Sequence, residues 1–459
     1  MKNNYQHLKI LILGLGINQG GVGAAKFFAK QGSQVIVTDL KTAQDLEVSL
    51  AELKEFSDIK YTLGEHKFED IDWADLIIKN PAVKPGNKYI EYAKSEGKRV
   101  EMDMGIFLEY VSPKQIIGVT GTKGKSTTAS LIYEILLASL NLSRSGRFAQ
   151  DDIKKNIVFA GNIGKSVLDT ITHITQDSLV ILELSSFQLE AFAQHQISPH
   201  ISIITNIFED HLNYYSSMDD YIQAKRYITE FQTEADFLFI KKGDPITDNP
   251  IFLKNLKAKI VHFSKNNIPD SLGVKLIHLR GVHNLENAAA AFNVAKTLGI
   301  DESVTLEAIQ IFKGIEFRMQ LTREWKGVKI YNDTAATSPQ AAIENIKTFP
   351  NCIWIGGGVN KNLPYEALAK TLDEYAKSIY FLEGDATDEI EKEFRIKNLE
   401  SSKIKGKYDN LKTLLSDVKK EAKEGDVILF SPGAASFNLF KNEFDRGRKF
   451  NEAVEKIFN

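Results

Sequence analysis

The stretch that most limits what this chain can become is residues 116–128, Ile-Ile-Gly-Val-Thr-Gly-Thr-Lys-Gly-Lys-Ser-Thr-Thr. Ile116, Ile117 and Val119 make an apolar run of strand length, a glycine-rich turn follows, and Ile132, Leu136 and Leu137 then mark one face of a helix. A strand that breaks through glycines into a helix N-terminus offers backbone N–H groups to an anion. Gly121 and Gly124 let the backbone approach phosphate oxygens closely. Lys125 can set its ammonium against β- and γ-phosphates, and the hydroxyl of Ser126 or Thr127 can ligate Mg2+. The common Gly-x4-Gly-Lys-Ser/Thr spacing would need glycine at 119, which is Val119, and Gly118 comes one residue early. The coincidence of strand, turn and helix still reads as an ATP-binding loop made of Gly121, Thr122, Lys123, Gly124, Lys125, Ser126 and Thr127.

Bulk properties narrow the setting. At 459 residues the chain has room for about three domains. A net charge of −3 argues against a nucleic-acid footprint. Cys352 is the only cysteine, so no intrachain disulfide can form, which suits a reducing compartment. The N-terminus lacks a signal-peptide layout, and no segment reaches the ~18 apolar residues of a membrane helix. A soluble, cytoplasmic protein is expected.

Before the loop, Leu8–Leu13 reads as a buried strand running into Gly14-Leu-Gly-Ile-Asn-Gln-Gly-Gly, then a helix with Ala24, Ala25, Phe27 and Phe28. A second strand, Val35–Thr38, ends at Asp39. This βαβ unit suits a nucleotide-like ligand. A nicotinamide fingerprint would need glycine at position 19, which is Gln19. Further strands are expected at Asp75–Ile78 and Lys98–Glu101, with a turn at Asn80-Pro81-Ala82-Val83 and a link near Tyr110–Pro113.

After the loop, polar clusters recur at the ends of apolar strands. Asn162 follows Val158-Phe-Ala-Gly, and Glu183 stands inside the apolar run Leu179–Leu184 ahead of Ser185, Ser186 and Gln188. A carboxylate in a buried strand calls for a cation, either Mg2+ or a basic side chain. Ile201–Ile207 reads as a strand leading to Glu209-Asp210-His211, which puts a histidine beside two carboxylates near the phosphate loop. Lys225, in a helical segment, reads on its own as a solvated residue.

Taken in order, Gly121-Thr-Lys-Gly-Lys-Ser-Thr, Gly161-Asn-Ile-Gly, Glu183-Leu-Ser-Ser-Phe-Gln-Leu, Asn206-x-x-Glu-Asp-His-Leu and Ala224-Lys225 resemble the Mur ligase family of ATP-dependent amide-forming enzymes. The resemblance implies an α/β protein of three domains. These are a Rossmann-like UDP-substrate domain (1–112), a central P-loop ATP-binding domain with a mostly parallel sheet (113–312), and a C-terminal Rossmann-like glutamate-binding domain (313–459). It implies addition of D-glutamate to UDP-N-acetylmuramoyl-L-alanine in peptidoglycan synthesis, and through it roles in cell shape and division. It assigns Lys125 to the ATP phosphates, Ser126 and Glu183 to one Mg2+, His211 to a second, and Lys225 to a carbamate that would ligate metal. Gly14, Gly16, Ile17, Asn18, Asp39, Asn162, Ser185 and Gln188 fall to the UDP substrate, and Asn284 and Asn287 to adenine. Arg318 and Asp333 fall to ATP, and Thr337, Lys361, Ser436 and Phe437 to glutamate. Closure of the C-terminal domain and a monomeric enzyme are expected.

The chain departs from the family pattern at three places. Asn213-Tyr214 stands for Asp-Arg, Ala335 for a lysine, and Glu443 for an aromatic residue, with Phe444 next to it. The last two leave the glutamate enantiomer open. Rival readings are a ligase using L-glutamate, a folylpolyglutamate-type ligase, a nicotinamide oxidoreductase, and a nucleotide-gated binding protein. No base for the incoming amine stands out.

Overall fold

The computed structural model describes residues 4–16, 20–84, 86–144, 156–162, 166–211, 214–269, 282–360, 363–436 and 438–459. Among them the strands form three sheets. Strands β1 (Lys9–Leu13), β2 (Gln34–Asp39), β3 (Lys60–Leu63), β4 (Leu76–Lys79) and β5 (Arg99–Glu101) make the first, in the order β3-β2-β1-β4-β5. All of its pairings are parallel. The second contains β6 (Ile116–Thr120), β7 (Ile157–Gly161), β8 (Leu179–Glu183), β9 (Ile201–Ile204), β10 (Phe237–Lys241) and β11 (Lys259–Phe263). Its order is β11-β10-β9-β6-β8-β7, again all parallel.

The third sheet joins β12 (Gln320–Trp325), β13 (Val328–Asn332), β14 (Cys352–Gly357), β15 (Ala376–Leu382), β16 (Ile404–Tyr408) and β17 (Val427–Phe430). Its order is β12-β13-β17-β14-β15-β16, and only the β12–β13 hairpin is antiparallel.

Two compact units result, Met1–Ile311 and Phe312–Asn459. Within the first unit the two sheets share one hydrophobic core running from Tyr5 to Ala258. Helix Asp103–Leu108, buried at every position, lies in that shared region and packs on helix Ser186–His195. In the second unit separate cores cover the two faces of the sheet.

Central strands match their apolar runs, because strands covered on both faces need apolar side chains on both. All five residues of β6 are buried. Edge strands escaped the sequence reading for the converse reason. In β16, Ile-Lys-Gly-Lys-Tyr, the lysines are exposed and the other three residues only half-buried, and β3 leaves its first two residues exposed. One expectation is corrected. The strand predicted over Ile201–Ile207 stops at Ile204, since Thr205 and Asn206 turn aside to bond the loop after β6.

In each of the first two sheets the chain reverses its direction of growth beside a central strand. That creates a crevice at the carboxyl ends of β1 and β4, and another after β6. The glycine turns singled out from the sequence follow β1 and β6.

Candidate active site

Gly121 and Gly124 shape the loop after β6. Their φ values of +147° and +86° lie in the region that favours glycine, and a Cβ on Gly121 would stand 1.9 Å from Thr205 Oγ1. Gly118, the residue that spoiled the spacing, lies within β6 itself, where a Cβ would crowd Pro199 and Leu184. The helix begins at Lys125, and its first backbone bond runs from Thr128 N to Gly124 O. The N–H groups of Lys125, Ser126 and Thr127 therefore have no intrahelical acceptor and point out of the helix end. Lys125 Nζ curls back to donate to Gly121 O and Thr122 O at 2.9 and 3.0 Å. The loop geometry fits a polyphosphate.

Neighbours brace this loop, and most of them were not foreseen. Asn206 accepts from Lys123 N at 2.9 Å and donates to Lys123 O at 3.0 Å, and Thr205 Oγ1 donates to Lys123 O at 2.6 Å. Thr122 Oγ1 lies 3.1 Å from the Tyr221 hydroxyl. Asn287 accepts from Thr128 Oγ1 at 3.3 Å, donates to Asn284 Oδ1 at 3.2 Å, and sits where a Cβ on Gly124 would fall. In the sequence Asn206 shows only as the first residue of Asn-x-x-Glu-Asp-His-Leu, and its bracing of Lys123 is a product of the fold.

Lys225 reverses its solvated reading. It is 1% exposed, donates to Gly121 O at 2.9 Å and lies 4.8 Å over the Tyr221 ring. Burial lowers its pKa well below the ordinary value; Lys125 lowers it further, and Asp210 opposes the shift. Burial thus shifts Lys225 toward the neutral amine, the form that can react with carbon dioxide.

Glu183 is also 1% exposed, and its one hydrogen-bond donor among the described residues is Asn162 Nδ2 at 3.2 Å. A buried carboxylate with one neutral donor fits a cation ligand. His211 adopts φ of +55°, and burial lowers its pKa, with Asp210 opposing and Lys225, Lys125 and Lys123 reinforcing. No three His, Cys, Asp or Glu side chains cluster for metal among the described residues. The donors foreseen are of mixed type: the Ser126 hydroxyl, the Glu183 carboxylate, the His211 imidazole and a carbamate on Lys225. The Ser126 hydroxyl and the Glu183 carboxylate are the oxygen donors that Mg2+ takes, while the His211 imidazole offers nitrogen.

Ser185 and Gln188 bond each other. Ser185 Oγ accepts from Gln188 N at 3.3 Å, and Gln188 Oε1 accepts from Ser185 N at 3.1 Å, capping helix Ser186–His195. In the crevice of the first sheet, Asp39 accepts from Gly16 N and Lys41 N, both at 2.9 Å, while Asn80 donates to Gly14 O at 3.3 Å. Gly14, Gly16 and Asp39 thus form one loop cluster at the ends of β1 and β2.

In the second unit, Asp333 directly follows β13 and accepts from Met319 N at 3.0 Å, from Ser431 Oγ at 3.1 Å and from Asn345 Nδ2. Burial raises its pKa to about 7. It thereby grips the turn in which exposed Arg318 stands between Phe317 and Met319, both at positive φ. Ser436 is 2% exposed and its Oγ has no partner among the described residues; Thr337 is half-buried.

Arg446 was missed, because a charged residue at helical spacing reads as solvated. It is fully buried, donating to Thr334 Oγ1 at 2.8 Å, Ala434 O at 3.1 Å and Thr334 O at 3.0 Å. Burial lowers its pKa to about 9. Ile17, Asn18, Lys361 and Phe437 lie outside the described residues.

Three family models match the chain: a Mur ligase MurD-like N-terminal domain over residues 8–101, a Mur ligase middle domain over 119–295, and a Mur ligase glutamate ligase domain over 317–433. The UDP-N-acetylmuramoylalanine–D-glutamate ligase of Borreliella afzelii is 36% identical over 479 residues, covering 98% of each chain. That of Roseiflexus sp. is 35% identical over 476 residues with the same coverage. Among solved structures, the UDP-N-acetylmuramate–alanine ligase of Thermotoga maritima aligns with a TM-score of 0.56 at 21% identity, covering 98% of this chain and 100% of the other.

Proposed function

The chain belongs to the Mur ligase family, and from that premise we propose that it joins D-glutamate to UDP-N-acetylmuramoyl-L-alanine at the expense of ATP, a step of peptidoglycan synthesis. The observation that carries this reading is likeness along the whole chain to D-glutamate-adding ligases, over a loop shaped for a triphosphate.

The reaction has two steps. A carboxylate oxygen of the alanyl group attacks the γ-phosphorus of ATP; the bond from that phosphorus to the β,γ-bridging oxygen breaks, and ADP leaves. The acyl phosphate then meets the free amine of glutamate, the acyl carbon passes through a tetrahedral intermediate, and its bond to the phosphate oxygen breaks, releasing phosphate. The free amine loses one proton to solvent as the amide forms and keeps the other as the amide N–H.

Two anions approach each other in the first step. Lys125 and the helix N-terminus offset that repulsion by position and charge, and Arg318 adds a guanidinium suited to the transferring phosphoryl group. Ser126, Glu183, His211 and a Lys225 carbamate would hold Mg2+, which we take as two ions and which would further neutralise the phosphates. Asn284 and Asn287 present amides to adenine. Gly14, Gly16, Ile17, Asn18, Asp39, Asn162, Ser185 and Gln188 hold the UDP substrate; Thr337, Lys361, Ser436 and Phe437 hold glutamate, and Asp333 serves the nucleotide side. We assign the UDP substrate to residues 1–112, ATP to 113–312 and glutamate to 313–459.

We place the reaction in the cytoplasm and take the enzyme to act as a monomer. Among the described residues no helix is long and apolar enough to cross a membrane.

Phosphate release from ATP tests the proposal. It should require UDP-N-acetylmuramoyl-L-alanine and D-glutamate together. Release that is equal with L-glutamate would overturn the choice of enantiomer, and no acceleration by any acid and amine together would overturn the ligase reading. Isotope-labelled bicarbonate tests Lys225, whose carbamate signal should vanish in Lys225→Met.

A further inference from the structure

Three lines of contact meet at Tyr214. Its ring packs on Phe187 with centroids 4.4 Å apart, and Phe187 meets the His211 ring edge-on at 5.0 Å. Its hydroxyl lies 3.3 Å from Glu190 Oε1 and 3.4 Å from Val83 O. Its backbone N–H, like that of Tyr215, donates to His211 O, at 2.9 and 3.0 Å respectively. These two bonds anchor the backbone where His211 holds its left-handed conformation, which needs support from the surroundings.

Each contact leads to a different part of the first unit. Val83 closes the turn after β4, bonding Asn80 O through its N–H at 2.9 Å, and Asn80 in turn holds the loop at Gly14. Glu190 lies on helix Ser186–His195, the helix capped by Ser185. Its second carboxylate oxygen is 3.5 Å from Lys79 Nζ, and both side chains are mostly buried. Lys79 neutralises Glu190, while the phenol hydroxyl fixes the orientation of the carboxylate. A chain of direct contacts therefore runs from the Gly14 loop through Asn80, Val83 and Tyr214 to His211. From His211 it continues through Tyr221, 6.0 Å away between ring centroids, to Thr122 of the phosphate loop.

We propose that Tyr214 is a positioning residue whose hydroxyl, held by Glu190 and the Val83 carbonyl, fixes the His211 backbone against the loop at Gly14 and so sets the spacing between the metal–phosphate end and the UDP-substrate end of the site. This rests on the assignment of His211 to metal and of the Gly14 loop to the UDP substrate.

Tyr214→Phe keeps the ring and removes only the hydroxyl. Mn2+ is the probe, its binding to the full-length protein with a non-hydrolysable ATP analogue read by electron paramagnetic resonance, alongside steady-state phosphate release. Tyr214→Phe should melt within a few degrees of wild type and bind Mn2+ about tenfold more weakly, with turnover falling about tenfold and the KM for ATP within about twofold. Glu190→Ala removes the acceptor instead and should reproduce the pattern; it decides the matter if the first variant fails to fold. Wild-type Mn2+ binding and turnover in the folded variant, with both lost in His211→Ala, overturns the proposal. Undiminished Mn2+ binding in His211→Ala overturns it together with the metal assignment. A wild-type protein that releases no phosphate, yet whose Mn2+ binding weakens in Tyr214→Phe, overturns the ligase reading and upholds the positioning role.

Discussion

The loop after β6 and the paired loops after β13 and β17 both present polar groups at the carboxyl ends of parallel strands, but different kinds of group do most of the work of holding them. The first is braced by neutral groups: glycine backbone, Thr205, Asn206 and Asn287. Lys125 and Lys225 add donations to the loop's own carbonyls, at Gly121 and Thr122. The second pair of loops is braced by ionisable side chains that are themselves buried. Asp333 grips Met319 and Ser431, and Arg446 grips Thr334 and Ala434. Where backbone, hydroxyl and amide groups do most of the bracing, the loop's shape depends less on the ionisation of side chains. Charged bracing makes the loop's rigidity depend on ionisation and on desolvated partners.

That contrast can be broken at its strong end first. Gly121→Ala puts a methyl group against Thr205 in a strained backbone, and ATP-dependent phosphate release should fall about a thousandfold or more, a loss of positioning. Retention of a tenth of wild-type turnover would mean that the loop gives way more easily than its glycines indicate. Arg318→Ala should lower kcat about a hundredfold with the KM for the UDP substrate within about threefold. Equal losses in both would deny Arg318 a task in phosphoryl transfer.

Smaller effects should separate the two kinds of brace. Arg446→Met strands the carbonyls of Thr334 and Ala434 and should destabilise the second unit by about 1–3 kcal/mol, read by hydrogen exchange, with the loop after β6 unaffected. The smallest effect concerns pH. Burial raises the Asp333 carboxyl from its ordinary 3.8 to about 7, so the folded protein holds a proton that the unfolded chain gives up. Its stabilising contribution is complete below the unfolded value and is lost as pH rises through the folded one. Asp333→Asn should therefore flatten the fall in second-unit stability between about pH 4 and pH 7. An unchanged slope would show that another group carries it.

Legibility followed the same division. The strand, glycine turn and helix at 116–128 could be read because each signal is local and the residues that matter adjoin one another. Gly14, Gly16 and Asp39 were legible for the same reason, as one βαβ unit. Edge strands β3 and β16 were not, because half of each faces solvent and lacks an apolar run. Lys225 and Arg446 were the plainest misses from the residues alone. Helical spacing says which positions share a face, but it does not say whether that face meets water or a loop from a distant part of the chain.

By itself the sequence determined the parallel α/β character, the phosphate loop and the ordered polar strand ends, since apolar runs and glycines act over a few residues. Only the tertiary structure decided which charges lie out of water. It put Lys225 beneath Gly121 and Arg446 beneath Thr334, and it made Tyr214 the link between the loop at Gly14 and His211. Desolvation is a property of everything packed around a group, so the altered proton affinities of Lys225, Asp333 and Arg446 arise only once remote segments have closed over them.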